Sequence, residues 1–370
     1  MRALPPLLWC LPLLAGSAGA RPPVIDVHTH VRPDRYNLAT DALASAGITR
    51  FINLSGGQPG RGLEEHLERA SLYEDRVLVC ANPNWRGVGD ADFGAREAAA
   101  LETAARLGAR CLKISKALGL GVPDPDDPKR YLAVDDPRLD PLWAAAGRLG
   151  LPVFIHTGDP KAFFEPMGPQ NERMAELGVH PEWSFADPSF PRREVLLAQR
   201  DRLLARHRGT TFVGVHFANN PEDLTYVEQA LDAHPNLYVD LAARVPELGR
   251  HPPARLRALF VKHQDRILFG TDLGLTGGLM LGSVGRNQPG LPDLFLYYFD
   301  QFRWLETDGQ GLPTPTPIQG DWRIDGVQLP AQVLEKVYCL NALKLFWNEA
   351  KPDDRDWDAI EAAPGMVSFF

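Results

Sequence analysis

The chain has 370 residues, 44% of them hydrophobic and 23% charged, a globular composition that excludes a disordered protein. Its formal net charge of −8 argues against nucleic acid as a main partner. The length suits one large domain or two ordinary ones, and no repeat at solenoid periods is visible.

The first twenty residues differ from the rest. Arg2 supplies a positive start, LPPLLWCLPLLAG is apolar but too short and Pro-broken to span a bilayer, and AGSAGA offers small residues before a cut after Ala20. This reads as a secretory signal peptide over 1–20, with no lipobox-like run before Cys10. Residues 21–370 are then one exported domain, periplasmic or extracellular.

From residue 24 a short apolar run, a polar loop and an amphipathic stretch alternate. The runs are VIDVH (24–28), ITRFINL (48–54), RVLVCAN (76–82), RCLKIS (110–115), PVFIH (152–156), TFVGVH (211–216), LYVDL (237–241) and RILFGTD (266–272). Their near-continuous Val, Ile and Phe content predicts parallel strands buried on both faces. Leu139, Leu142, Trp143, Ala146 and Leu149 recur at helical gaps, as do Leu224, Val227 and Leu231. Gly108, Gly147, Gly150 and Gly209 fall near predicted helix ends. AQVLEKVYCLNALKLFWN (331–348) closes the series, and eight strands alternating with helices predict a (β/α)8 TIM barrel. Two segments exceed the repeat, 158–190 after strand five and 273–330 after strand eight. Both leave the face where barrel active sites form, so they are expected to wall or cover a site. Cys80, Cys111 and Cys339 are too few for a disulfide framework, and without CxxC a thiolate metal site is not expected. Cys80 and Cys111, inside predicted strands, are read as buried small hydrophobes.

The ten histidines are placed unevenly. His66 lies in a helix; His207, His234 and His263 lie near helix C-termini, where the dipole favours a cation; His180 and His251 lie in loops. The other four end strands: His28 and His30 on strand one, His156 on strand five and His216 on strand six. Residues two apart on a strand share a face, so His28 and His30 can reach one ion. His156 ends a strand across the barrel mouth, and Asp272 ends strand eight, beside strand one in a closed ring. Imidazoles with a carboxylate make an open N/O site suited to zinc or another divalent ion. Asp26 points the same way from deeper in the strand, which suits hydrogen-bonding support better than ligation.

DVHTH, FIHTGD, VGVH, FGTD and the terminal NALKLF, in this order along nearly the whole chain after residue 20, resemble the amidohydrolase superfamily. The similar branch is amidohydrolase family 2, which includes the aminocarboxymuconate-semialdehyde decarboxylase relatives. The resemblance implies that His28, His30, His156 and Asp272 bind one divalent metal, zinc first and manganese or iron as alternatives. It implies that His216 assists the metal-bound water, with Asp272 able to shuttle its proton. In binuclear members a strand-four lysine is carboxylated and bridges two ions. Lys113 occupies that strand, but in this branch such a lysine is usually not a ligand and can instead bind a substrate carboxylate. Trp85, Asn219 and Arg244, on loops after strands three, six and seven, are further candidate substrate contacts.

The expected activity is a metal-dependent hydrolase acting on an amide, ester or lactone. A nonoxidative decarboxylase of a small carboxylic acid, a lyase, is the alternative, and a non-catalytic metal-containing binding protein is a third reading. The expected partner is a small-molecule substrate, with no nucleic acid, no membrane after signal cleavage, and room for a homodimer.

Overall fold

A computed structural model describes residues 21–353 and 356. The expected signal peptide lies outside these residues. Among them, strands β1 (Val24–Val31), β2 (Ile48–Asn53), β3 (Val77–Ala81), β4 (Cys111–Ile114), β5 (Val153–Ile155), β6 (Phe212–Gly214), β7 (Leu237–Asp240) and β8 (Ile267–Leu268) pair in parallel with sequential neighbours. Seven of the eight predicted runs therefore appear within a few residues of their expected limits. Their side chains are buried on both faces because helices cover the outside and the barrel interior is packed.

The eighth run differs. Its ladder stops at Leu268, since the Phe269 amide donates to the Val337 carbonyl at 2.9 Å. That carbonyl belongs to α9 (Ala331–Glu335), which continues in π-helical turns over Lys336–Leu340 and Leu343–Trp347. The ring still closes. Val27 N donates to Phe269 O at 3.0 Å, Asp272 N donates to His28 O at 2.9 Å, and β9 (Leu273–Leu275) pairs in parallel with β1. The chain thus forms a TIM barrel whose last strand is interrupted just before Asp272. β10 (Leu279–Leu281) folds back on β9 as an antiparallel hairpin.

Between strands lie α1 (Tyr36–Ser45), α2 (Leu63–Ala70), α3 (Phe93–Leu107), α4 (Asp140–Leu149), α5 (Arg193–Arg206), α6 (Leu224–Ala233) and α7 (Pro253–Lys262). Gly108 and Gly150 end α3 and α4 with left-handed backbone (φ 118° and 66°), the conformation glycine adopts at least cost. Gly147 has a different reason. It sits inside α4, where a Cβ would lie 2.6 Å from Thr210 Oγ1, so its role is close approach.

Residues 158–190 hold only single helical turns, packed through Phe163 on Trp183 and Phe164 on Phe185. Buried Arg173 pairs with Glu176 (2.8 Å) within this segment and ties it to the loop after β7 through Glu247. The segment after β10 contains α8 (Leu291–Glu306), a long helix that the periodicity reading left inside an insertion.

Cys80 and Cys111 correct the sequence reading: they form a disulfide. They are directly opposed in the β3–β4 register with Cα atoms 4.4 Å apart, within bridging distance. Too few cysteines for a framework still leaves room for one bridge. Cys339 is buried and unpaired. No described helix is long and apolar enough to cross a membrane.

Candidate metal centre

β1 delivers His28 and His30 to the C-terminal mouth of the barrel, their ring centroids 5.4 Å apart. Each has its outward nitrogen occupied. His28 Nδ1 lies 2.8 Å from Asp240 Oδ2, and His30 Nδ1 lies 2.7 Å from Ser55 Oγ. The Nε2 atoms therefore point inward, 3.5 and 3.3 Å from Asp272 Oδ1. An imidazole whose far nitrogen donates to a carboxylate is fixed in tautomer and orientation, with its other lone pair directed at the site.

Asp272 is held by an unusual backbone. Its φ is +64°, a left-handed conformation disfavoured for a residue with a Cβ. It follows the break in strand eight, and its amide donates to His28 O, locking it beside the ligand pair. Asp26 supports both strands from below. It accepts from the amides of His28 (3.0 Å) and Thr271 (3.2 Å), from the Thr271 hydroxyl, and from Tyr298 of α8 (2.7 Å). Burial pushes the Asp26 carboxyl up to about 6 against the pull of those donors.

His216 reaches the site by a route the strand pattern does not disclose. β6 ends at Gly214, and His216, Phe217, Ala218 and Asn219 all carry positive φ, from 53° to 55°. This single left-handed turn is costly for L-residues, about 1–2 kcal/mol each. Buried donors hold it. His216 N donates to Asp240 Oδ1 (2.7 Å), Arg193 donates to Asn219 O (2.6 Å), and Arg200 donates to Ala218 O. His216 Nδ1 lies 2.8 Å from Ala242 O, so it carries the proton and Nε2 is left as an acceptor. The His216 ring stands 5.0 Å from that of His28, and donor atoms of His28, His216 and Asp272 all lie within 4.8 Å of one another.

Asp240 went unnoticed in the sequence. It is fully buried at the end of β7 and grips His28 with one oxygen, and His216 N and Ala242 N with the other. Its signal was present in LYVDL as a carboxylate ending a hydrophobic strand.

His156 is brought to the same rim, its ring 4.5 Å from that of His216. Its Nε2 faces Asp159 Oδ1 at 3.2 Å rather than the Asp272 cluster. Asp159 is in turn paired with Lys116 at 2.6 Å. Burial lowers His156 to about 4 and lowers His28 and His216 as well, which keeps all three imidazoles neutral and able to ligate. Burial works to raise the Asp272 carboxyl, but the His28 and His30 rings against it and the nearby Lys113 ammonium hold it well below the usual range.

Lys113 ends β4 almost fully buried, and its Nζ has no hydrogen-bond partner. Burial draws its ammonium down to about 8, opposed by Asp240 and Asp272. Arg244 is also buried, donating to Ala243 O at 2.7 Å, and its charge reaches His216. The other two candidate substrate contacts have partners within the fold. Asn219 is 1% exposed, accepting from Thr157 N (2.8 Å) and donating to Gly158 O (3.2 Å). Trp85 stacks on Phe93 of α3. The six remaining histidines have local partners or positions matching their expected elements, such as His66 against Tyr36 (3.0 Å) and His251 against Pro221 O (2.7 Å).

These donors fit a divalent cation. Neutral imidazoles and an ionised carboxylate converge, each held by a partner behind it, which is the makeup of an N/O metal site.

Comparison with solved structures finds similar chains. A 2,6-dihydroxybenzoate decarboxylase complexed with 2,6-dihydroxybenzoate is 14% identical, with a TM-score of 0.51 over 88% of this chain and 99% of that one. A probable 2-pyrone-4,6-dicarboxylic acid hydrolase from Acinetobacter baumannii is 13% identical, with a TM-score of 0.49 over 88% and 99%. A 5-carboxyvanillate decarboxylase from Sphingomonas paucimobilis is 13% identical, with a TM-score of 0.48 over 88% and 99%. At these identities the likeness concerns the fold. No curated protein matches the sequence. A protein-family profile described as amidohydrolase matches residues 25–347, a span that runs from the first barrel strand through the closing helix. By that match the chain belongs to the amidohydrolase family, which is metal-dependent.

Proposed function

We infer that the protein is an exported hydrolase that uses one divalent metal, zinc first, to cleave an amide, ester or lactone. The observation that carries this reading is the convergence of His28 Nε2 and His30 Nε2 on Asp272 Oδ1, with His216 alongside. His28, His30 and Asp272 would hold the ion, with His156 joining if its ring turns away from Asp159. When bound, the ion supplies a water acidic enough to ionise near neutral pH and an electrophile for a carbonyl oxygen. The chain supplies the rest. His216, anchored through Nδ1, can orient water or accept its proton at Nε2. The ionised Asp272 can carry that proton to the leaving group. Arg244 and Lys113 place positive charge beside the mouth, which favours a substrate with an anionic group.

Decarboxylation is the second reading, and Lys113 favours it. A buried ammonium without a partner is costly unless an anion meets it, and a substrate carboxylate would. Export is supported by the composition of residues 1–20 and by the Cys80–Cys111 bridge, a bond that persists in oxidising compartments. The test is a panel of lactones, esters, amides and aromatic or enoic acids assayed with and without chelator. Acid release that is metal-dependent and lost in His216→Asn supports hydrolysis. Carbon dioxide release supports the lyase, and neither product from metal-loaded protein would remove the enzymatic reading.

A further inference from the structure

α8 is a surface helix whose outer face is largely apolar. Its inner side is buried and serves the metal centre, with Tyr298 donating to Asp26 and Tyr297 to Thr271 O. Its outer side carries Leu291, Pro292, Phe295, Leu296 and Phe299, and among these Leu296 is 59% exposed and both phenylalanines more than 40%. A surface helix normally turns a polar face outward, so an outer face this apolar calls for a partner. Beside its first turn an open groove of about 230 Å³, lined by Leu38 of α1, Leu275, Leu279 and Leu291, continues the apolar surface.

We propose that the outer face of α8 is the two-fold interface of a homodimer, with α8 packed antiparallel against its copy. Pro292, Phe295, Leu296 and Phe299 recur at i, i+3, i+4 and i+7, the spacing of a helix-pairing seam. Charge placement selects a second copy as the occupant. Asp293 and Arg303 lie at equal distances on either side of residue 298, on the same flank of the seam. A two-fold axis at residue 298 reverses one helix and keeps that flank on the same side. Asp293 of each chain then meets Arg303 of the other, twice. The area is also sufficient. With about 150–250 Å² for each fully exposed aromatic and somewhat less for each leucine, the exposed fractions sum to roughly 400 Å² of apolar surface per chain. Interfaces are about 60% apolar, so the patch implies roughly 700 Å² per partner, close to the ~800 Å² of a standard stable complex. A two-fold contact is self-complementary, which is what this patch offers.

Sedimentation velocity on the full chain tests this. The wild type is expected as a dimer at micromolar concentration, and Phe295→Glu/Phe299→Glu as a monomer with an unchanged far-ultraviolet circular dichroism spectrum. Arg303→Glu alone should weaken the dimer by about tenfold, because two pairs become repulsive at once. Asp293→Lys combined with Arg303→Glu should restore it. The charge swap keeps the proposal open to refutation even if the double glutamate variant fails to fold. A monomeric wild type, a dimer insensitive to Arg303→Glu, or flotation of the wild type with phosphatidylglycerol vesicles that the glutamates abolish, would each overturn it.

Discussion

Replacing Asp240 with Asn should uncouple the two halves of the candidate metal centre while leaving the barrel folded. The wild-type carboxylate accepts from His28 Nδ1 at 2.8 Å and from the amides of His216 and Ala242 at 2.7 and 3.2 Å. Asn has one carbonyl oxygen. Two backbone donors demand it, so the NH2 group is turned toward His28 Nδ1. Two donors cannot face each other, and His28 must move its proton to Nε2, the atom aimed at Asp272. The ligand lone pair is then lost from the site. Loss of an orienting partner of this kind typically weakens metal binding 10–100-fold, about 1.4–2.7 kcal/mol. Stability should fall less than for Asp240→Ala, which strands both amides and is expected to cost about 2–5 kcal/mol. Chelator competition measures the affinity, and thermal melting of the metal-free protein measures the fold. Equal affinity in Asp240→Asn and wild type would refute the orienting role.

Further outcomes follow from the surroundings of the site. Asn219→Ala removes partners from two buried backbone groups, so it should destabilise by about 2–4 kcal/mol yet leave KM unchanged in whatever reaction is found; a raised KM with unchanged melting would instead make Asn219 a substrate contact. Ala218→Gly, at φ 54°, should stay within about 0.5 kcal/mol of wild type in denaturant melts, because relief of left-handed strain offsets the entropy and methyl lost; in an ordinary helix the change costs about 1 kcal/mol. Thiol titration of the denatured, unreduced protein should find Cys80 and Cys111 unreactive and Cys339 reactive, while the folded protein shields Cys339, whose thiol burial pushes far up. Reactive Cys80 or Cys111 in that sample would remove the bridge. Export predicts a mature N-terminus at Arg21, checked by mass spectrometry of the secreted protein; an intact Met1 in the exported fraction would contradict cleavage.

Much of the barrel is legible in the sequence because parallel strands buried on both faces are written as continuous apolar runs. Strand eight is the exception. RILFGTD looks like its fellows, but its fourth residue, Phe269, spends its amide on a helix carbonyl, a contact with residue 337 that local pattern cannot reveal. The same limit applies to the site. HTH on strand one announces itself, since two histidines at strand spacing have few other uses. His216 is visible as a histidine after a strand, but the left-handed turn that aims it depends on buried Arg193 and Arg200 from α5. Asp240 looked like an ordinary strand-end residue because its importance lies in what crosses the barrel to meet it. The disulfide was hidden for a similar reason: residues 31 apart become opposed only once the β3–β4 register is set. α8 was obscured because apolar residues occupy its outer as well as its inner side, which blurs the one-sided pattern of an ordinary surface helix.

Metal content and activity, measured together on one preparation, test the account most directly. Purified wild-type protein should carry one divalent ion per chain, lose its hydrolytic or decarboxylase activity on chelation and regain it when the ion returns. His28→Ala/His30→Ala should fold, bind no ion and stay inactive. Full activity in metal-free wild type, or an ion retained at wild-type affinity by the double variant, would contradict the assignment of this barrel mouth as the metal centre.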